Sequence, residues 1–176
     1  MKLTTYKTER LLLRRLTPDD YIYVFEHYSD TEIKDFFGLT SDEEFIKELN
    51  KFENGYTTHN RSLEMFQLID KENNKIIGTC GYHNWYKEHN RAELGYTITN
   101  EVYKGLGVMS EAMKVVLEHG FVKMKLHRIE ALVGTQNVAS IKLLEKFGFT
   151  KEGVLKEHHL INDVYEDSIV YGKVNG

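Results

Sequence analysis

The sequence predicts one mixed α/β (α+β) domain over residues 1–176. Its centre is a mostly antiparallel sheet of about seven strands flanked by about four helices, with one parallel strand pair. Three observations predict this. Runs 63–69, 75–86 and 91–99 are strand-like and joined by the short polar turns 70–74 and 87–90, which argues for an antiparallel meander. The third run then passes through a loop carrying Gly105 and Gly107 into a helix, and another strand-like run follows at 127–133. A crossover helix of that kind lays the new strand parallel to the old one, right-handedly. Two final strand-like runs, 149–158 and 165–174, surround the turn Asn162-Asp163.

Taken in order, 8–15 reads as a first strand, and Thr17-Pro18-Asp19-Asp20 starts a helix with Thr17 as N-cap and Pro18 at its first position. Tyr21, Val24, Phe25 and Tyr28 recur there at helical spacing. Ser41 and Glu44 form a capping box for a second helix, whose apolar face is Phe45, Ile46, Leu49 and Phe52. After the meander, the helix over 108–123 offers Ala112, Val115, Val116, His119 and Phe121 to the core. Asn137 caps the last helix, which buries Ile141, Leu144 and Phe147 and stops at Gly148. The parallel strands begin adjacent and are expected to splay further along, leaving a slot for a linear ligand.

Composition bounds the function. A chain of 176 residues suffices to bury roughly 70% of its unfolded surface. No apolar run approaches the ~20 residues of a membrane span, and Met1–Thr5 shows no signal-peptide pattern. Cys80 is the only cysteine, so no internal disulfide forms and a reducing compartment fits. The expectation is a soluble cytoplasmic protein without a membrane partner. Net charge is −4, which argues against nucleic acid. The acidity is concentrated: residues 30–53 hold eight acids against three lysines, a surplus that suits either a cationic partner or a solvated helix face. No feature of the sequence specifies an oligomer.

The strand, glycine loop and helix start at 93–112 form an anion-binding device. Glycines let backbone approach a phosphate, N–H groups point at it, and the helix dipole favours negative charge. Other uses of these residues fail on chemistry. A dinucleotide fold needs a third glycine where Ser110 stands, and a nucleotide P-loop needs a glycine-lysine-Ser/Thr that is absent. No paired-histidine zinc motif occurs, and the adjacent His158 and His159 are expected on opposite strand faces. Cys80, between glycines in an apolar strand, reads as a small buried residue.

Lys104-Gly105-Leu106-Gly107-Val108-Met109 and Asn137-Val138-Ala139-Ser140-Ile141-Lys142-Leu143-Leu144-Glu145-Lys146-Phe147-Gly148-Phe149 carry a family pattern. In this element order they resemble the GNAT superfamily of acyl-CoA-dependent N-acyltransferases over nearly the whole chain. Lys104 stands where that family usually has Gln or Arg, and Met109 where it has a small residue. With Glu93-Leu94-Gly95-Tyr96, His127–Ala131 and Tyr165–Tyr171, the pattern is most similar to the RimJ/RimL-type branch, which acetylates protein α-amines; close relatives acetylate polyamines, small amines or antibiotics. The resemblance implies acetyl-CoA as co-substrate, no metal, and an amine acceptor, first of all a protein N-terminus. It further implies that the main chain of Thr97 and Ile98 pairs with the pantetheine arm. Lys104 and the backbone of Gly105, Leu106, Gly107, Val108, Met109 and Ser110 would hold the pyrophosphate. Asn137 would reach the pantetheine, or serve only as a cap.

Acyl transfer from a thioester needs a neutral amine, a polarised carbonyl and a proton for the leaving sulfur, with positioning supplying much of the rate. An α-amine, with a pKa of about 8, is easier to neutralise than a lysine or polyamine near 10.4. Glu93 lies early on the strand that lines the acceptor side in this family, which makes it the first candidate base; Glu130 and His83 compete, and a plain surface glutamate is the alternative. The family's usual acid, a tyrosine, is replaced by Leu144; the resemblance to the RimJ/RimL-type branch implies Ser140 as the acid instead, with Tyr171 more remote. Its local alternative is a backbone hydrogen bond in the first helical turn. Phe36, Phe37, Trp85 and Tyr86 would border the acceptor groove or fill core. A non-catalytic acyl-CoA sensor on the same fold is the rival reading.

Overall fold

The computed structural model describes residues 1–176. The chain starts with β1 (Thr5–Lys7) and β2 (Leu11–Leu16), followed by helices α1 (Pro18–His27), α2 (Asp30–Phe37) and α3 (Asp42–Asn54). The meander is β3 (Ser62–Asp70), β4 (Ile76–Tyr86) and β5 (Arg91–Ile98). Then come α4 (Val108–Glu118), β6 (Arg128–Gly134), α5 (Val138–Lys146), β7 (Thr150–Ile161) and β8 (Val164–Val174). One sheet holds all eight strands in the order β1-β2-β3-β4-β5-β6-β8-β7. Every pairing is antiparallel except β5 with β6.

The expected architecture therefore holds, with one strand and one helix more than the sequence pattern showed. β1 is a three-residue edge strand, too short for a periodic signal. α2 is announced by Ser29-Asp30-Thr31-Glu32: the Ser29 N–H donates to Glu32 Oε2 at 2.8 Å, and Ser29 Oγ accepts from the Glu32 amide at 3.4 Å. The box expected at Ser41 is only half made. Ser41 Oγ accepts from Glu44 N–H at 3.2 Å, but the Glu44 carboxylate turns back to Thr40. The α4 helix ends at Glu118, and one wide π turn, His119–Lys123, completes the stretch expected as continuous helix.

Strand alternation divides the sheet into two faces. One carries Leu11, Leu13, Phe66, Leu68, Cys80, Tyr82, Ala92, Leu94 and Ile129, which pack with Ala112, Met113 and Val116 of α4 and Leu144 of α5 into one core. The other lies under α1–α3, where Arg14 Nη2 and Gln67 Nε2 both donate to the Phe36 carbonyl, at 2.7 and 2.9 Å. Gln67 pairs with Thr79 and Thr79 with Thr97, so Glu93, Gly95 and Thr97 belong to this second face.

The sheet's early strands are tied to the π turn by a buried polar network. Glu64 Oε1 lies 2.6 Å from His119 Nε2 and accepts from Arg15 Nη1 at 3.0 Å, while the Tyr6 hydroxyl sits 2.9 Å from His119 Nδ1. Burial alone would raise the Glu64 pKa, but the His119 and Arg15 contacts outweigh it and hold the carboxyl below its ordinary value. A depressed carboxylate stabilises the fold above its unfolded pKa, about 4.3, and that contribution disappears as pH falls through the folded value. Glu64→Ala leaves two basic groups without their buried partner and is expected to cost about 3 kcal/mol. Urea unfolding at pH 7 measures this, and the gap between variant and parent should narrow as the pH drops below 4.

Candidate active site

β5 and β6 are in register only at Arg91–Arg128, Ala92–Ile129 and Glu93–Glu130. Beyond Glu93 they part, as expected, although β5 remains paired with β4 as far as Ile98 and β6 with β8 as far as Gly134. The joined end is pinned by the Asn90 carbonyl, which accepts from His127 N–H at 2.6 Å and from Arg128 N–H at 3.2 Å. The Thr99 N–H donates to Ile77 O at 3.0 Å, which fixes the phase of the β4–β5 ladder. In that phase Gly95 and Thr97 direct their main chain to β4, whereas Tyr96 and Ile98 direct theirs into the gap. Of the two residues expected to hold a linear ligand, Ile98 thus offers backbone, and Thr97 keeps an exposed side chain on the α1–α3 face.

The glycine loop lies between the free end of β5 and the start of α4. Gly105 and Gly107 adopt φ of 75° and 77°, and Gly107 is the N-cap of α4. The first helical bond is Glu111 N–H to Gly107 O, 3.1 Å, so the preceding amides at the helix start have no intrahelical acceptor. Val108 is buried in the core and Met109 packs against it, which leaves backbone as their means of meeting an anion. Lys104 pairs with Glu101, and Lys146 Nζ donates to Ser110 Oγ at 3.1 Å, placing a second cation at the loop.

A clamp absent from the sequence reading holds the loop from behind. Arg10 donates from Nη1 to Leu106 O at 2.8 Å, and from Nε and its own N–H to Glu111 at 2.8 and 2.7 Å; Thr8 Oγ1 also donates to Glu111. Burial pushes the Glu111 pKa up, but these donors more than offset it and keep the carboxylate low and ionised. The only available signal was Thr8-Glu9-Arg10, which reads as ordinary strand.

The joined end of the gap holds Glu93. Its Oε1 lies 3.1 Å from His83 Nε2, and its Oε2 accepts from Asn84 Nδ2 at 2.9 Å. Burial acts to raise its pKa, but the contacts with His83 and Asn84 outweigh it, so the carboxyl sits below its usual range. Glu130 is engaged on both sides, at 2.5 Å from Arg91 Nη1 and 3.1 Å from Arg128 Nε. His158 and His159 do not face opposite ways as expected. Glu157 takes a positive φ of 49° in an irregular stretch of β7, and both rings reach Ser168 Oγ, at 3.1 and 3.0 Å.

Ser140 lies on the other side of the gap from Glu93, because α5 packs Leu144 into the opposite face of the sheet. The Asn137 cap accepts from the Ser140 amide at 3.1 Å, so the capping bond engages the serine's N–H rather than its hydroxyl. The Tyr96 hydroxyl donates to Ser140 O at 3.5 Å. The Tyr171 hydroxyl donates to Glu145 at 3.1 Å, and burial with that carboxylate raises its pKa. No group of three or more His, Cys, Asp or Glu side chains is placed to hold a metal, and no helix is long and apolar enough to cross a membrane.

Comparison with known proteins gives this geometry a family. Residues 10–150 match the acetyltransferase (GNAT) domain. The N-acetyltransferase p20 of Bacillus licheniformis is 33% identical over 174 residues, 96% of this chain and 97% of that protein. The ribosomal-protein-serine acetyltransferase of Escherichia coli is 28% identical over 116 residues, 66% of this chain and 64% of its own. The spermidine N(1)-acetyltransferase of Escherichia coli is 33% identical over 81 residues, 46% and 43% of the two chains. A solved GNAT-family acetyltransferase from Bacillus anthracis superposes with a TM-score of 0.67 over 97% of this chain and 98% of its own, at 29% identity.

A side chain at the φ of Gly107 costs about 1–2 kcal/mol. Gly107→Ala is therefore expected to weaken CoA binding about tenfold, read by titration calorimetry, with the circular dichroism spectrum unchanged.

Proposed function

The chain belongs to the GNAT acetyltransferase family and is an acetyl-CoA-dependent N-acetyltransferase; from that premise we propose that its acceptor is the α-amino group of a protein N-terminus. The cofactor end fits the reading. The gap beside Tyr96 and Ile98 offers unpaired strand backbone to an amide-bearing arm, and the amides from Gly105 to Ser110, with Lys104 and Lys146 close by, suit a diphosphate. Bound there, acetyl-CoA supplies the activated acetyl group.

The observation that carries the acceptor assignment is the pairing of carboxylates at the reaction end. Glu130 is engaged by Arg91 and Arg128, Glu152 by Arg128, and Asp167 by Lys156, while Glu93 accepts from the neutral Asn84 amide beside His83. A polyamine needs uncommitted negative charge to hold its second ammonium, and these pairs offer little. An α-amine brings one charge and loses it near pH 8. Similarity to the ribosomal-protein-serine enzyme, over a longer stretch than to the spermidine enzyme, supports the same assignment. A polyamine is the second reading, favoured by the acidic surplus of α2 and α3. That surplus is itself partly paired, Asp42 with Lys34 and Glu48 with Lys51.

In the proposed roles Ser140 delivers the proton to the leaving sulfur from one side of the gap, while the Glu93 group acts on the amine from the other. A competition assay between peptides with free N-termini and spermidine, read by release of CoA, tests the acceptor. Peptides are expected to be consumed first, with N-terminally blocked peptides inert. Exclusive acetylation of spermidine would reject the assignment.

A further inference from the structure

We infer that His83 is the general base of the acetyl transfer and that Glu93 is its positioning residue. Three independent observations converge on the imidazole. The first is the pairing itself: Nε2 of His83 faces Glu93 Oε1 at 3.1 Å, and Asn84 holds the other carboxylate oxygen at 2.9 Å. In the inferred arrangement the imidazole proton is on Nε2, the nitrogen that faces this carboxylate. Nδ1 is then left with its lone pair.

The second observation is where the ring lies. A β-carbon built on Gly95 would stand 2.6 Å from both Cε1 and Nδ1 of His83, so the ring occupies the space a side chain would take. Gly95 is two residues beyond the last β5 residue paired with β6, at the mouth of the gap. The ring is 44% exposed, whereas the Glu93 side chain is 17% exposed. The imidazole is thus the member of the pair that an incoming amine meets.

The third observation is the backbone that aims them. The β4–β5 register slips between His83 and Tyr86, and Asn84 takes a left-handed φ of 54°. Asparagine adopts that conformation more readily than other non-glycine residues, and a bulge of this kind redirects the side chains that flank it. Here it points the two consecutive side chains of His83 and Asn84 at one carboxylate.

The balance is simple. Transfer makes one N–C bond and breaks one C–S bond; the sulfur leaves with the bonding pair and is then protonated. The attacking nitrogen must shed one proton, which His83 Nδ1 accepts, and Glu93 offsets the resulting charge. The assignment rests on the acetyl-transfer reading but not on the acceptor, since any amine must shed that proton.

The test uses the intact enzyme with whichever amine it turns over fastest. His83→Ala is expected to lower kcat about 100-fold, with the Kd for acetyl-CoA unchanged and the rate partly restored by added imidazole. Glu93→Ala should lower kcat, with Glu93→Gln restoring part of it. Gly95→Ala, which leaves His83 in place but displaces its ring, should reproduce the His83→Ala loss. By proton NMR, the His83 Cε1 resonance should shift in Glu93→Gln, a reading independent of turnover. Undiminished kcat in His83→Ala, or a loss that imidazole does not relieve, would overturn the assignment even where peptide acetylation itself is confirmed.

Discussion

The working parts of this protein depend on one interrupted ladder. β5 and β6 are joined at three residue pairs and then separate, while each keeps its outer neighbour for its remaining length. Parallel strands normally continue to pair because unpaired backbone is costly when buried. Here the joined end is fastened by the Asn90 carbonyl and by Glu130 between two arginines, and the outer ladders hold the strands apart beyond it. The result is a slot lined on one side by the free backbone edge of Tyr96 and Ile98, open to both faces of the sheet. The Glu93 group lies on one face of the slot and α5 on the other.

Rigidity at the loop end comes from outside the loop. Gly105 and Gly107 permit the turn, but glycine permits other turns as well, and it is Arg10 and Thr8, reaching from the start of β2, that fix Leu106 and Glu111. The clamp also pairs Glu111, which would otherwise set a negative charge in the first turn of the helix proposed to receive phosphate. The polar network at Glu64 does comparable work at the far end of α4, holding the π turn against β1, β2 and β3. The α4 helix is therefore anchored at both ends.

Much of this was legible in the sequence because the signals were local. The meander followed from alternation and polar turns, the parallel pair from a helix between two strands, and the loop from glycines before a helix. β1 is too short to have a period, and α2 was hidden by a capping box that lies directly after the end of another helix. The partners of Glu93 were not legible, because they follow from a slipped register and a left-handed asparagine rather than from composition. For the same reason the histidines at 158 and 159 share one serine instead of facing apart. The Arg10 clamp joins residues about a hundred positions distant, and no local pattern announces it.

The proposed acetyl-CoA seat depends on the free edge of β5. Hydrogen exchange resolved to single amides, with and without acetyl-CoA, measures it directly. The amides of Tyr96 and Ile98 are expected to exchange readily in the free protein and to become protected when acetyl-CoA is added, while Gly95 and Thr97, bonded to β4, are protected in both states. Unchanged exchange at Tyr96 and Ile98 under saturating acetyl-CoA would contradict a cofactor seated in the gap.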